Sequence, residues 1–160
     1  GENQKALEIF DMMLAVNQDI GDKALSSKAH GNKGIVLKNL KKFTEALREY
    51  NLQIKICEYS KDKTGVGRAT SNSGTVYKEM SKYDKAVQSF TKALDIFIDI
   101  GDKREQGIAL ANLGETFMAS ADLNKSREYL KKSLNIFNDI GDSSLEKIVL
   151  ADLEKIENKE

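Results

Sequence analysis

The sequence predicts an all-α protein, an α-solenoid of about eight helices arranged in antiparallel pairs. Three short motifs recur at 40-residue intervals, Asn32-Lys-Gly34, Asn72-Ser-Gly74 and Asn112-Leu-Gly114. An aspartate recurs at the same interval, at positions 22, 62, 102 and 142. A fixed long period indicates stacked copies of one unit, whose function belongs to a surface rather than to a catalytic pocket. Proline, the commonest helix breaker, is absent.

Each period divides into two helices, which we call the first and second helix of a repeat. Residues 4–19 align with second helices, so we expect 1–22 to be the second half of a repeat whose first half lies upstream. Three full repeats follow, over 23–62, 63–102 and 103–142. The segment 143–160 aligns with first helices, but Glu154 and Glu157 replace the glycine and the core aromatic residue. This predicts a polar outer face and a C-terminal capping helix.

The turns are marked by residues with special backbone roles. Ile-Gly-Asp ends a repeat at 20–22, 100–102 and 140–142, and Lys61 replaces the glycine at the second repeat. Glycine can take the left-handed conformation that closes one helix, while the aspartate accepts from the free N–H groups of the next helix. Inside each repeat an apolar residue precedes a polar capping candidate, at Phe43-Thr44, Tyr83-Asp84 and Leu123-Asn124.

Three glycines, Gly34, Gly74 and Gly114, fall in the middle of predicted first helices. A mid-helix glycine is destabilising by about 0.5–1 kcal/mol relative to alanine, so its recurrence implies a compensating gain. We expect close approach of the first helix to the second, where small residues recur at Ala46, Ala86 and Ser126.

Composition limits the classes of partner and compartment. Twenty-five basic residues balance 25 acidic ones, which argues against nucleic acid or an anionic membrane as a partner. A single cysteine, Cys57, excludes an internal disulfide and indicates a reducing compartment. No stretch approaches the roughly 20 apolar residues of a membrane span, and the N-terminus lacks a secretory pattern. We therefore predict a cytoplasmic protein.

The spacing of the small and large residues resembles the tetratricopeptide repeat. The resemblance rests on Gly74-x-x-Tyr77, Leu113-Gly114-x-x-Phe117, Ala46-x-x-x-Tyr50 and Ala86-x-x-x-Phe90. The departures are His30, Thr70 and Leu110 at the tryptophan position, the missing closing proline, and a period of 40 instead of about 34. The long repeat is similar to the branch that includes spindle-orientation adaptors, kinesin light chain and bacterial peptide-sensing regulators. The resemblance implies a right-handed superhelix and a binding function.

In that family the first helices line a concave groove, which implies where a ligand binds. Residues on this side step by four, three and four positions, which keeps them on one helix face. Asparagine amides both donate and accept, so they can pair with the backbone of an extended peptide. The alternative is that each asparagine caps or bridges the neighbouring repeat. The aligned sets are Lys28, Asn32, Ile35 and Asn39; Arg68, Asn72, Thr75 and Glu79; and Ile108, Asn112, Glu115 and Ala119.

Charged residues predict some ligand selectivity on this face. Lys28 and Arg68 make the groove basic at one side, while Glu79 and Glu115 make it acidic at the other. Arginine can hold an acidic side chain or a terminal carboxylate through charge-assisted hydrogen bonds. The alternative is that these are ordinary charged side chains in contact with solvent, and this alternative applies above all to Lys28. Because Ile108 takes the equivalent place in the third repeat, the carboxylate-binding set of the heat-shock co-chaperones is incomplete.

The sequence gives little support for catalysis, and we predict no enzyme activity, cofactor or metal. The only histidine, His30, lies where the family buries a large side chain, and no second histidine or cysteine pair completes a metal site. Cys57 falls on the apolar stripe of a second helix and is interpreted as a small buried residue.

Three classes of function are compatible with these observations. The first is a peptide- or protein-binding adaptor domain of a larger protein. The second is a regulatory sensor, in which a peptide changes the curvature of the array and so controls an attached domain. The third is a structural module that self-associates.

Overall fold

The computed structural model describes residues 2–158, and every regular element in that range is an α-helix. This confirms the predicted all-α solenoid. The elements are α1 (Glu2–Ile20), α2 (Lys23–Asn39), α3 (Phe43–Tyr59), α4 (Lys63–Glu79), α5 (Tyr83–Asp99), α6 (Lys103–Ala119), α7 (Leu123–Ile140) and α8 (Ser143–Glu157). None of these helices is long and apolar enough to cross a bilayer.

The first helices form the inner layer of the array. Each helix packs on the next one in the chain, and α2 also contacts α4, α4 contacts α6, and α6 contacts α8. Within residues 2–158 no two second helices contact each other in this way. The first helices therefore lie closer together, on the concave side of the stack, and the second helices are spread apart on the convex side.

The aspartates of the period cap the first helices as predicted. The side chain of Asp22 accepts from Leu25 N at 3.1 Å, and that of Asp62 accepts from Gly65 N at 2.9 Å. Asp102 and Asp142 cap α6 and α8 in the same way. Such a cap stabilises a helix by about 0.5–2 kcal/mol relative to alanine.

The second helices begin one residue earlier than the predicted caps. Phe43, Tyr83 and Leu123 are the first helical residues, so Thr44, Asp84 and Asn124 lie inside the helices and the capping expectation was wrong. The cap positions are occupied by Lys42 and Lys82, whose side chains make no capping bond, and by Asp122, which accepts from Lys125 N. Phe43 and Leu123, the first residues of α3 and α7, are partly buried against the core clusters.

Left-handed residues end every helix from α1 to α7. Gly21, Gly101 and Gly141 have φ values of 74°, 73° and 70°, as the turn motif predicted. Lys61 takes the same conformation with φ of 57°, although its side chain makes this backbone unfavourable. Residues Lys41, Ser81 and Ala121 do the same in the turns within repeats.

The mid-helix glycines lie against large residues of the paired second helix. A β-carbon on Gly34 would lie 2.5 Å from Tyr50 Cε1, and one on Gly74 would lie 2.8 Å from Phe90 Cε1. The close approach is therefore confirmed, but the nearest atoms belong to these rings and not to Ala46 or Ala86. In the third repeat Ser126 also donates to the carbonyl of Gly114 at 2.8 Å.

A second row of glycines was not predicted from the sequence. A β-carbon on Gly67 or Gly107 would lie 2.6 Å from Cε1 of Phe97 or Phe137, respectively. Both the glycines and the phenylalanines recur at the 40-residue period, so the signal was present in the sequence. The first helices α4 and α6 thus each have two glycines in close contact with their second helix.

The last helix closes the apolar end of the third repeat. Val149 and Ile156 of α8 are buried in one cluster with Leu130 and Phe137 of α7. Glu154 and Glu157 are exposed, as the capping hypothesis requires, but Ile148 and Leu150 are also exposed on this helix. Its role as a terminal cap and the repeat boundaries at 22, 62, 102 and 142 remain predictions.

Candidate ligand-binding face

Three equivalent asparagines lie on the inner side of the array, one on each of α2, α4 and α6. Asn32 is exposed, while Asn72 and Asn112 are half-buried. Within residues 2–158 the side-chain amides of all three make no hydrogen bond to the protein. The alternative role, in which each amide bridges the neighbouring repeat, therefore has no hydrogen bond to support it. The amides are left able to donate to and accept from a ligand.

Ion pairs between neighbouring first helices run along the same side. Lys38 Nζ of α2 lies 3.4 Å from Glu79 Oε1 of α4, and Lys78 of α4 pairs with Glu115 of α6. The predicted acidic side of the groove is thus neutralised by lysines of the preceding repeat. These partners come from different repeats, so no local sequence pattern identifies them.

Arg68, the predicted carboxylate anchor, also has a partner within the chain. Its Nε donates to Glu105 Oε1 at 2.8 Å, and the side chain is still 58% exposed. Glu105 has capping-box spacing from Asp102, whose side chain accepts from Glu105 N at 3.1 Å. The Glu105 carboxylate nevertheless turns to the arginine. A ligand carboxylate would have to share the guanidinium with Glu105 or displace it.

The two remaining predicted site residues differ in what they offer. Lys28 is exposed, and no carboxylate among the described residues pairs with it. Thr75 is half-buried and its hydroxyl donates to the carbonyl of Ser71 at 3.4 Å. Lys28 is therefore an available cation at the start of the asparagine row, whereas the Thr75 hydroxyl contributes to the helix.

His30 takes part in a polar network that joins α1, α2 and α3. Its Nδ1 lies 2.7 Å from Glu49 Oε2, and the side chain is largely buried. Lys33 Nζ lies 3.3 Å from Glu49 Oε1 and donates to Asp11 Oδ1 at 2.6 Å. Burial alone would lower the pKa of Lys33, but the bonds and charges of Asp11 and Glu49 together raise it. The network joins α1 of the leading half repeat to α2 and α3 of the first full repeat.

Cys57 is fully buried on the second-helix stripe, as predicted. Its Sγ lies 3.1 Å from Ser27 Oγ. Burial raises the pKa of the thiol and keeps it protonated, which makes it a poor nucleophile. In the described part of the chain no three metal-ligating side chains are grouped together.

The repeats agree with a known family in sequence. A family model described as "Tetratricopeptide repeat" matches residues 25–99 and, in a second overlapping placement, residues 65–139. Comparison with curated proteins finds none that matches this chain.

Solved structures show the same fold at low sequence identity. The apo form of RapI is 18% identical, with a TM-score of 0.87 over 99% of this chain and 44% of its own. Aspartyl phosphate phosphatase F from Bacillus subtilis is 18% identical, with a TM-score of 0.72 over 98% of this chain and 45% of its own. The N-terminal domain of stress-induced protein-1 from C. elegans is 21% identical, with a TM-score of 0.64 over 82% and 94%, respectively. The chain thus spans less than half of RapI and of the phosphatase.

Proposed function

Because this chain belongs to the tetratricopeptide repeat family, we propose that it is a cytoplasmic, non-catalytic scaffold that binds an extended peptide or protein segment. The segment lies along the inner side of α2, α4 and α6. The observation that supports this most is the row of Asn32, Asn72 and Asn112, whose amides lack partners within residues 2–158. Equal numbers of acidic and basic residues favour a protein partner over nucleic acid or a membrane.

The three amides serve as regularly spaced contacts for a peptide backbone. Each can donate to a carbonyl and accept from an N–H of the same extended strand. A net gain of about 0.5–1.5 kcal/mol for each bond would give useful affinity without reading the side chains. Selectivity then comes from the flanking residues. Lys28 and Arg68 attract a carboxylate, and Thr75, Glu79 and Glu115 border the same path.

The test is a peptide display screen followed by fluorescence anisotropy with the enriched peptides. The triple variant Asn32→Ala, Asn72→Ala, Asn112→Ala should bind them much more weakly than the unsubstituted protein. A matched control is Asn135→Ala, which removes an exposed asparagine from a second helix. Equal affinity of the triple variant and the control would overturn the proposal.

One observation favours the second function, a peptide-responsive sensor. The ion pairs Lys38–Glu79, Lys78–Glu115 and Arg68–Glu105 join consecutive first helices beside the asparagine row. A ligand that competes for these groups alters the contacts between repeats and hence the curvature. Spin labels on Ala24→Cys and Ser144→Cys, both exposed, report this directly. A sensor changes the distance between the labels when a peptide from the screen binds, whereas a passive scaffold does not.

The third function, self-association, is favoured by an apolar stripe on α1. Ile9, Met12, Val16 and Ile20 are each more than half exposed and share one side of the helix. Sedimentation over a range of concentrations tests this. Association that Val16→Glu abolishes would support a self-associating module, and a constant monomer mass would exclude it.

A further inference from the structure

Two grooves on the outer side of the array are equivalent in position but differ in their contents. One lies between α3 and α5 with α4 as its floor, and the other between α5 and α7 with α6 as its floor. Their residues correspond through the 40-residue period. The floor residues Thr70, Ser73 and Tyr77 of the first groove correspond to Leu110, Leu113 and Phe117 of the second.

In the second groove an aromatic pair fills the space. The ring of Tyr129 from α7 stacks on Phe117, with centroids 5.4 Å apart and an interplanar angle of 15°. Lys125 Nζ lies 5.2 Å from the centroid of Phe117, and Lys132 Nζ lies 5.2 Å from that of Tyr129. The protein thus holds two stacked rings between two lysines.

The first groove has the same arrangement with one ring missing. Tyr77 replaces Phe117, and Lys85 Nζ lies 5.7 Å from the centroid of its ring. Lys92 corresponds to Lys132, but Ser89 stands where the chain has Tyr129 in the next repeat. Within residues 2–158, Lys92 therefore lies over no ring, and no carboxylate pairs with it.

A cavity of about 400 Å³ occupies this place, lined by Tyr77, Lys85, Ser89 and Lys92 among others. It is large enough for a six-membered ring, since a cavity of about 150 Å³ can hold benzene. The hydroxyls of Thr70 and Ser73 donate to carbonyls of their own helix at 2.8 Å and 3.0 Å, so they need no bond from a ligand. The lining residues include two lysines and no carboxylate.

We propose that this cavity receives an aromatic side chain from an acidic segment of a partner protein. The incoming ring stacks on Tyr77 as Tyr129 stacks on Phe117, and an adjacent carboxylate pairs with Lys92. The complementary charge of the lining selects an acidic partner. The site lies on the opposite side of α4 from Asn72, about 140° around the helix, so it is independent of the proposed inner face.

The experiment uses three small probes and amide chemical shifts recorded by NMR. Phenylacetate carries a ring and a carboxylate, cyclohexylacetate keeps the charge without the aromatic ring, and phenylacetamide keeps the ring without the charge. Phenylacetate should shift the amides of Tyr77, Ser89 and Lys92 and bind roughly 2- to 12-fold more tightly than cyclohexylacetate, the range expected from aromatic stacking. Phenylacetamide should also bind more weakly than phenylacetate, and the difference should shrink at high salt.

Ser89→Tyr should fill the cavity with the chain's own ring and abolish phenylacetate binding, whereas Ser89→Ala should preserve it. Lys92→Ala should weaken binding, and Lys131→Ala, an exposed lysine of the next repeat, should not. The lysine variants keep the test decisive if Ser89→Tyr fails to fold. Equal binding of the two acids, unchanged binding in Lys92→Ala, or shifts confined to other sites would overturn the proposal. So would concentration-dependent association that Ser89→Tyr removes, because the occupant would then be a second copy of the chain.

Discussion

Arg68 Nε on α4 donates to Glu105 Oε1 on α6 at 2.8 Å, joining two neighbouring first helices. The arginine side chain is 58% exposed, whereas that of Glu105 is mostly buried. The pair lies next to the asparagine row and belongs to a set of ion pairs that link α2, α4 and α6 along the concave side. The proposed ligand contacts and the contacts between repeats thus use the same surface.

We expect this ion pair to contribute little to stability, because solvent screens the exposed arginine. A double-mutant cycle with Arg68→Ala and Glu105→Gln should give a coupling free energy of about 0.2–1 kcal/mol, decreasing as salt is added. Urea unfolding of the four proteins provides the measurement. A coupling that does not depend on salt would show that the pair is not an exposed ion pair.

The close packing at Gly74 makes this position intolerant of a side chain. Gly74→Ala places a β-carbon 2.8 Å from Cε1 of the buried Phe90, and we expect a net loss of about 1–3 kcal/mol in the free energy of unfolding. The clash should outweigh the gain of about 0.5–1 kcal/mol from replacing a helical glycine. Ser71→Ala, in the same helix, is the control and should change stability little. A more stable Gly74→Ala protein would contradict the close contact.

At the Lys61 turn we expect a substitution to stabilise the protein. Lys61 has φ of 57°, where a residue with a side chain is unfavourable by about 1–2 kcal/mol. Lys61→Gly should therefore raise the free energy of unfolding by about 0.5–1 kcal/mol, after the greater freedom of glycine in the unfolded chain is subtracted. Lys55→Gly, in the middle of α3, should lower it by about 1 kcal/mol. Thermal unfolding of both variants is the measurement. Opposite changes in stability would show that the backbone conformation at position 61 causes the gain.

Much of this fold could be predicted because a period of 40 residues repeats every local signal. The aspartate caps, the left-handed glycines and the mid-helix glycines all depend on neighbours in sequence or on one partner helix. The expected caps at Thr44, Asp84 and Asn124 were wrong because the preceding residues Phe43, Tyr83 and Leu123 are already helical, so the cap positions fall on Lys42, Lys82 and Asp122.

The candidate site was less predictable because it depends on contacts between repeats. The partners of Arg68, Glu79 and Glu115 lie 37 to 41 positions away in the chain, and only the stacking of the helices brings them together. The filled and open outer grooves differ by substitutions at aligned positions such as Ser89 and Tyr129. The substitutions are visible in the sequence, but only the structure shows that Tyr129 stacks on Phe117 and that a cavity lies beside Ser89.

Alkaline pH should destabilise the protein through Tyr50. Burial, with a smaller effect of the Glu79 charge, raises the pKa of Tyr50 far above its ordinary value. A raised pKa in the folded state means that its stabilising contribution is complete below about pH 10, the unfolded value, and is lost as pH rises further. Between pH 8 and pH 11 the free energy of unfolding should fall by roughly 1.4 kcal/mol less in the Tyr50→Phe variant than in the unsubstituted protein. Tyr59→Phe, at a side chain 79% exposed, is the control and should show no such difference.

If a peptide binds to the proposed inner face, substitutions there should change its affinity in a defined order. Each single asparagine-to-alanine change should cost about 0.5–1.5 kcal/mol of binding free energy, and Arg68→Ala about 1.5–3 kcal/mol if it holds a carboxylate. Since Glu105 competes for the same guanidinium, Glu105→Gln should strengthen binding of an acidic peptide, and it should not do so in the Arg68→Ala background. Anisotropy titrations of the four proteins, with circular dichroism to confirm unchanged helicity, separate these effects. Unaltered affinity in Arg68→Ala and Glu105→Gln would leave the amides as the only anchors and assign Arg68 to the contact between repeats alone.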